Sequence, residues 1–284
     1  METQSLLADS RIAGASLPEG VLAQIHGARS GFTTGALLLP GLPIGEIPAT
    51  PRTAAAMVKP DRTSERTLLG VASLLGEPIG YAQEHGGDVV QNLFPLASSV
   101  GRQLSTSSGV ELAFHTETAF HPHKPAFLLL LCLRGDIAAA TTLCTAADIA
   151  AQLSATTLAT LSEPRFRCGV DESFGSGTAW LTDPMPIFAA DGVMTFDGEL
   201  TIGTDVEAEE ALHEVRTAIG RARTSVTLAA GDLLVVDNRR AVHGRSPFTA
   251  RFDGTDRWLQ RTFVVDKLPP AIERNGRVIS TRFA

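Results

Sequence analysis

A chain of 284 residues is long enough for one large folded domain or two small ones. Hydrophobic residues at 44% and charged residues at 19% fit a soluble globular protein and exclude a disordered one. A net charge of −7 without any basic stripe argues against nucleic acid as a partner.

The amino terminus, Met1 to Asp9, lacks the basic and apolar regions of a signal peptide. Cys132 and Cys144 sit in apolar runs, so all three cysteines, Cys168 included, are expected to be reduced thiols of a cytoplasmic protein. Residues 17–28 open with Ser16-Leu17-Pro18-Glu19, a helix entry, and place Val21, Leu22 and Ile25 at helical spacing. Residues 31–39 read as a turn followed by a strand, and the proline-rich stretch 40–52 as an extended loop. Ser64 to Leu75 is expected to be a helix stopped by Gly76 and Pro78. A strand end at Gly80-Tyr81 runs into a glycine turn at residues 84–87, and residues 89–95 form another short strand.

A polar loop over residues 103–109 delivers the chain to Phe114-His115-Thr116-Glu117, taken as an extended strand. Ala126 to Leu133 is apolar throughout, the pattern of a strand buried on both faces and far too short to span a bilayer, so no membrane partner is expected. Ala138 to Leu143 reads as a further strand and Ala146 to Thr160 as a helix. Residues 163–190 are irregular, with a Ser-Gly cluster at 175–178. Val206 to Arg223 is an acidic amphipathic helix with Ala208, Ala211, Leu212, Val215 and Ile219 on its apolar face. Strands at 225–228 and 233–237 flank a tight turn, and a last strand covers residues 258–265. No repeat or strong linker divides the chain, so a single domain over residues 1–284 is expected. Many short strands with a few interposed helices suggest a closed barrel or jelly roll.

Two stretches carry chemistry. In an extended strand, side chains two positions apart share a face, so His115 and Glu117 can reach one ion together. His243, at the end of Asp237-Asn238-Arg239-Arg240-Ala241-Val242-His243-Gly244-Arg245, is the candidate third ligand. Two histidines and one carboxylate form the facial triad of non-haem Fe(II) oxygenases. Downstream, Arg257 and Arg261 lie an even number of residues apart on a strand and therefore share a face. A guanidinium fork there suits a carboxylate of a ligand or an internal acid. His121 and His123 add a rival metal reading, a structural or hydrolytic zinc site shared with His115. Pro122 and Pro125 break regular geometry at that point.

Taken together, the chain from about Leu37 onward resembles the clavaminate synthase-like branch of the taurine dioxygenase superfamily. The motifs are Gly80-Tyr81 with Gln91-Asn92, Leu104-Ser105-Thr106, the segment His115 to Pro122, Ala140-Thr141-Thr142, Pro164 to Arg167, Asp237 to Arg245, and Arg251 to Arg261. The resemblance implies a fold that is mainly β with flanking helices, a distorted double-stranded β-helix of the jelly-roll, cupin-like kind. It implies Fe(II) held by His115, Glu117 and His243, with 2-oxoglutarate as cosubstrate and O2 as oxidant. Thr142 and Arg257 look like the pair for the distal carboxylate of 2-oxoglutarate, and Arg261 like a second arginine near that pocket.

The implied reaction is hydroxylation of an unactivated C–H bond of a small molecule, in specialised metabolism. Relatives act on free L-amino acids, and a cationic, arginine-like one is favoured. Ser105 resembles a contact for the substrate α-carboxylate, and Glu84 one for the α-amino group. Glu117, as the ligand facing the substrate, completes that set. Asp197 and Glu199 form an Asp-x-Glu pair on an expected strand, where acids of arginine-oxidising relatives hold the guanidinium. Asp171 lies where relatives carry a lid, which looks shortened over residues 171–185. Halogenating relatives replace the carboxylate ligand by a small residue; Glu117 is retained here, which favours hydroxylation or desaturation. A carrier-bound amino acid and a non-catalytic binding barrel are the remaining alternatives.

Overall fold

The computed structural model describes residues 2–29, 34–175, 180–270, 272–273, 276–281 and 283. Part of the turn expected at 31–35 and most of the Ser-Gly cluster at 175–178 lie outside the described residues. Helices α1 (Glu2–Ala15) and α2 (Glu19–Arg29) precede strand β1 (Ala36–Leu39), and α3 (Thr63–Leu75) leads into β2 (Glu77–Tyr81). Then come β3 (Gln91–Leu93), β4 (Leu112–His115), β5 (Phe127–Arg134) and β6 (Thr141–Thr145). Two short helices follow, α4 (Ala146–Ala150) and α5 (Ala155–Leu161), with β7 (Phe166–Cys168) and β8 (Thr201–Gly203) before α6 (Val206–Ala222). The chain ends through β9 (Thr224–Val226), β10 (Leu233–Asp237), β11 (Ala241–Arg245), β12 (Trp258–Val265), β13 (Ile272–Glu273) and β14 (Val278–Ile279).

Two main sheets result. The larger runs β1-β10-β5-β12-β2-β14-β13, with β3 also on β12; the smaller runs β4-β11-β6-β9. Strand β5 is buried at every position except Arg134. Because side chains alternate across a strand, it serves two cores. Leu129, Leu131 and Leu133 pack with Leu68, Val71, Ala72 and Leu75 of α3. Leu128, Leu130 and Cys132 face the other way, with Leu259 and Phe263 of β12. The α3 residues fall at i, i+3, i+4 and i+7, one helical stripe. Burying each leucine contributes about 1.5–3 kcal/mol, and Leu68→Ala is expected to cost about 2–5 kcal/mol.

The smaller sheet is backed by α6. Its Ala208, Leu212, Val215 and Ile219 pack with Cys144 of β6 and Val242 of β11. Asp205 caps the helix by accepting from the Ala208 amide at 3.0 Å. The order α3, large sheet, interior, small sheet, α6 leaves a space between the sheets, and the candidate site lies there. The chain is mixed rather than mainly β, with six α-helices among the described residues.

Several local expectations are corrected. Helix α1 was not legible in the sequence. It crosses α3 where a Cβ on Gly14 would stand 2.6 Å from the Gly70 carbonyl oxygen, so both helices meet backbone to backbone. The helix expected over 146–160 is two helices, because Ser154 accepts from the Thr157 amide at 3.0 Å and starts α5 afresh. The strands expected on either side of the tight turn at 230–232 are present but do not pair with each other. Strand β9 pairs with β6 and β10 with β1 and β5, so the turn carries the chain from the small sheet to the large one. The Asp232 carboxylate accepts from the Ala229 amide at 2.9 Å and fixes that corner. The expected strands at 89–95 and 138–143 are shorter, at 91–93 and from Thr141. All three cysteines are buried and unpaired. Among the described residues no helix is long and apolar enough to cross a membrane.

Candidate metal and cosubstrate site

A cavity of about 640 Å3 opens between the sheets, within the range of small-molecule sites. Leu128, Leu130, Arg257 and Arg261 line it from the large-sheet side, and His115, Thr141, His243 and Arg245 from the small-sheet side.

His115 and His243 are cross-strand partners in the β4–β11 ladder. The ladder brings their rings to 4.4 Å between centroids. His115 Nδ1 lies 2.8 Å from the Ala113 carbonyl oxygen. A carbonyl only accepts, so Nδ1 carries the proton and Nε2 presents its lone pair. Burial pushes the His243 imidazole down to about 4, with the nearby His115 acting in the same direction. It is therefore neutral near pH 7, the form a metal needs.

Glu117 is not on a strand, contrary to the expectation: β4 ends at His115 and Glu117 opens a turn. Asn238 sets its position instead. The Asn238 side chain accepts from the Glu117 amide at 2.5 Å and donates to the Glu117 carbonyl at 3.1 Å and the Pro125 carbonyl at 2.9 Å. Thr118, in the left-handed region at φ 51, turns the chain away immediately afterwards. The Glu117 carboxylate is thereby swung back toward the two imidazoles. Its Oε2 stands 3.4 Å from His243 Nε2 and 3.9 Å from His115 Nε2. Oε2 is buried and makes no hydrogen bond. Burial alone would raise this carboxyl, but Arg261, His243 and His115 hold it down at about 2. A buried, ionised, orphaned oxygen beside two imidazoles fits a cation. Ligand atoms of the three residues lie within 4.8 Å of one another, and they form the only such group of three among the described residues.

The zinc alternative is not supported by the geometry. His121 is buried among Tyr81, Phe120, Phe174 and Phe283. Its Nδ1 accepts from the His123 amide at 2.9 Å. Neither His121 nor His123 joins His115 in a ligand group.

Arg257 and Arg261 both line the cavity, as their spacing requires. Arg257 is buried, and its one described hydrogen bond runs to Thr141 Oγ1 at 3.3 Å. Among the described residues no carboxylate pairs with it, and burial pushes its guanidinium down to about 10. An uncompensated buried cation of this kind calls for an anion from outside. Arg261 is already engaged. It donates to Gln91 Oε1 at 2.8 Å through Nε, pairs with Glu84, and lies 3.4 Å from Glu117 Oε1. Burial raises Glu84 to about 6, against the pull of Arg261.

Thr142 requires a correction. Thr141 lines the cavity and Thr142 does not. In the β6–β11 register, Thr141 pairs with Arg245 and Leu143 with His243, whereas Thr142 pairs with Gly244. Cross-strand partners share a face, so Thr142 points with Cys144 toward α6, its Oγ1 buried without a partner.

Ser105, Glu84, Asp197 and Glu199 all line the same cavity. Asp197 and Glu199 do not share a strand, however. Asp197 makes an isolated bridge to His115 and then enters a turn. One carboxylate oxygen of Asp197 accepts from the amides of Glu199 at 2.9 Å and Leu200 at 2.8 Å. Burial raises the Asp197 carboxyl, while Glu199 is exposed. Asp171 and Glu172 border the same end. The sequence reading missed Thr141, Gln91, Asn238 and Arg245 as members of the site. Strand registers bring Thr141, Gln91 and Arg245 there, and the turn between β10 and β11 brings Asn238.

Similarity to known proteins agrees with this geometry. Residues 192–263 match the family described as taurine catabolism dioxygenase TauD, TfdA family. L-lysine 3-hydroxylase of Catenulispora acidiphila is 38% identical, over 98% of this chain and 81% of that protein. Clavaminate synthase 2 of Streptomyces clavuligerus is 30% identical, over 98% of this chain and 86% of its own length. The structure of asparagine oxygenase in complex with Fe(II), 2S,3S-3-hydroxyasparagine and succinate superposes with a TM-score of 0.91 at 32% identity, covering 97% of this chain and 89% of that one. The chain belongs to the clavaminate synthase-like branch of the taurine dioxygenase superfamily and is an Fe(II)- and 2-oxoglutarate-dependent oxygenase.

Proposed function

We propose that this oxygenase hydroxylates an unactivated C–H bond of a free L-amino acid or amino-acid derivative, with a cationic side chain favoured. The observation that carries the reading is the cavity itself, which sets an orphaned carboxylate oxygen beside two imidazoles and an unpaired buried arginine on the facing wall. His115, Glu117 and His243 hold Fe(II). Arg257 and Thr141 hold the distal carboxylate of 2-oxoglutarate, a charge-assisted contact backed by a hydroxyl. When bound, iron and 2-oxoglutarate supply the oxidising power: O2 is consumed, 2-oxoglutarate leaves as succinate and CO2, and one oxygen atom enters the C–H bond.

The protein's own part is to orient that bond and exclude water. Arg261 and Glu84 form a ready-made pair of opposite charges on the cavity wall. A zwitterionic amino acid exchanges this internal pair for two of its own, carboxylate to Arg261 and ammonium to Glu84, with Ser105 adding a hydroxyl. Asp197, with one oxygen already committed to its turn, and Glu199 at the rim receive the cationic end of the side chain. The similarity to L-lysine 3-hydroxylase supports a cationic substrate. We read the two sheets as the walls of a distorted double-stranded β-helix, and the chain as one domain.

A panel of L-amino acids and their derivatives tests the proposal, with succinate release and product mass as the readouts. Succinate release coupled to the gain of one oxygen on a cationic amino acid is expected. Release that no member of the panel stimulates would count against it.

A further inference from the structure

Arg245 is 4% exposed and lines the cavity, yet no carboxylate pairs with it among the described residues. Its guanidinium donates to backbone carbonyls instead: Ser107 at 2.6 Å, Val110 at 3.0 Å and Ser246 at 3.3 Å. The ring of Phe248 lies 5.3 Å below it, and the Phe248 amide donates to the Ser108 carbonyl at 2.8 Å. The 107–110 segment is thus stitched to residues 245–248 at several points.

The location of the stitch matters. Arg245 stands two residues beyond His243 on β11, and Ser107 two residues beyond Ser105. The β4–β11 ladder is irregular here: His243 faces His115, but Arg245 faces Leu112, so the regular pairing slips between them. Gly244 meets that slip, since a Cβ on it would stand 2.5 Å from the Leu112 carbonyl oxygen. The other end of the segment is anchored elsewhere, through the bond from the Leu96 amide to the Thr106 carbonyl at 3.0 Å. Arg245 supplies the tie to the strand that carries His243.

We propose that Arg245 is a positioning residue that clasps the 103–110 segment to the His243 strand, so that Ser105 and the amino acid it binds are held at a fixed distance from the metal. This rests on the reading of Ser105 as a substrate contact. A planar guanidinium spans two carbonyls at once, whereas a lysine ammonium in its place keeps the charge but cannot bridge both.

The test compares R245K, S105A and F248L with the wild-type enzyme. In R245K the KM for the amino acid rises about tenfold, the scale of one lost charge-assisted hydrogen bond, while the KM for 2-oxoglutarate stays within about threefold of wild type. With ascorbate in the assay to reduce the oxidising equivalents left unspent, succinate then forms in excess over hydroxylated product, because the C–H bond is no longer held in place. Backbone amides of residues 103–110 exchange with deuterium faster in the variant. F248L, which keeps the hydrogen bonds and removes the ring beneath them, accelerates the same amides to a smaller extent. It also keeps the prediction testable if R245K does not fold. Unchanged exchange over 103–110 in a folded variant overturns the clasp, as does an equal rise of both KM values in step with a lowered Tm. An S105A enzyme with wild-type KM for the amino acid defeats the Ser105 reading alone and leaves the exchange result standing.

Discussion

His243 lies directly across an antiparallel ladder from His115, with the two ring centroids 4.4 Å apart. Two imidazoles far apart in sequence are thus held by backbone pairing rather than by the metal they are proposed to bind. Alanine at His115, Glu117 or His243 is therefore expected to leave the secondary structure intact and to remove succinate formation altogether. Circular dichroism with a succinate assay checks this, and turnover retained in His243→Ala would remove that residue from the ligand set.

The 2-oxoglutarate end discriminates between neighbouring threonines. Arg257→Ala is expected to weaken 2-oxoglutarate binding by about 2–5 kcal/mol, seen as a steep rise in KM. Thr141→Val, which removes the hydroxyl bonded to Arg257, raises the same KM by about fivefold, the worth of one hydrogen bond. Thr142→Val, on the opposite face of β6, leaves it unchanged. The reverse ranking of the two threonine variants contradicts the register argument.

That pair also shows what the sequence conveyed and where it stopped. Residue type and spacing identified the triad and both arginines, because chemistry of that kind needs those side chains whatever the surrounding fold. Thr142 came from the family resemblance alone; one step along a strand reverses the facing, and it is the pairing of Thr141 with Arg245 that puts Thr141 rather than Thr142 on the cavity face. Glu117 was placed beside the histidines on a premise the structure does not share, since its approach to them comes from the Asn238 clamp and not from strand alternation. The apolar stripe of α6 and the doubly buried β5 were legible because burial imposes a period. The split of the 146–160 helix was not, because it depends on the Ser154 cap, and the turn at 230–232 was legible but not the partners of the strands on either side of it, which are long-range pairings.

Asp197→Asn and Glu199→Gln test the cationic-substrate reading. Each is expected to raise the KM for a lysine- or arginine-like substrate while sparing a neutral amino acid of similar length. The half-buried Asp197 has the larger effect, about tenfold or more, since charge-assisted contacts strengthen away from water. Equal losses on cationic and neutral substrates would leave these acids a structural role in the 197–200 turn only.

Acid stability should report the buried imidazoles. Burial first, then the charges of His123 and Lys124, hold His121 down at about 3, against an ordinary 6.5. Below pH 6.5 the unfolded chain takes up this proton and the folded chain does not, so stability falls as pH falls, down to about pH 3. At pH 4.5 the loss from His121 alone is about 2 kcal/mol. His85 and His243 are depressed in the same direction. His121→Phe, placed among the rings of Tyr81, Phe120 and Phe174, is expected to flatten the decline between pH 6.5 and 4.5 in urea titrations of metal-free protein. Parallel curves for variant and wild type would contradict it.

Fe(II) and 2-oxoglutarate are expected to meet in this cavity. Mixing the protein anaerobically with both, and recording the visible spectrum, tests that directly. A weak absorption in the green is predicted with the two together, and none with Fe(II) alone, with zinc in place of iron, or in His243→Ala. A spectrum that stays flat in folded protein with Fe(II) bound would contradict it.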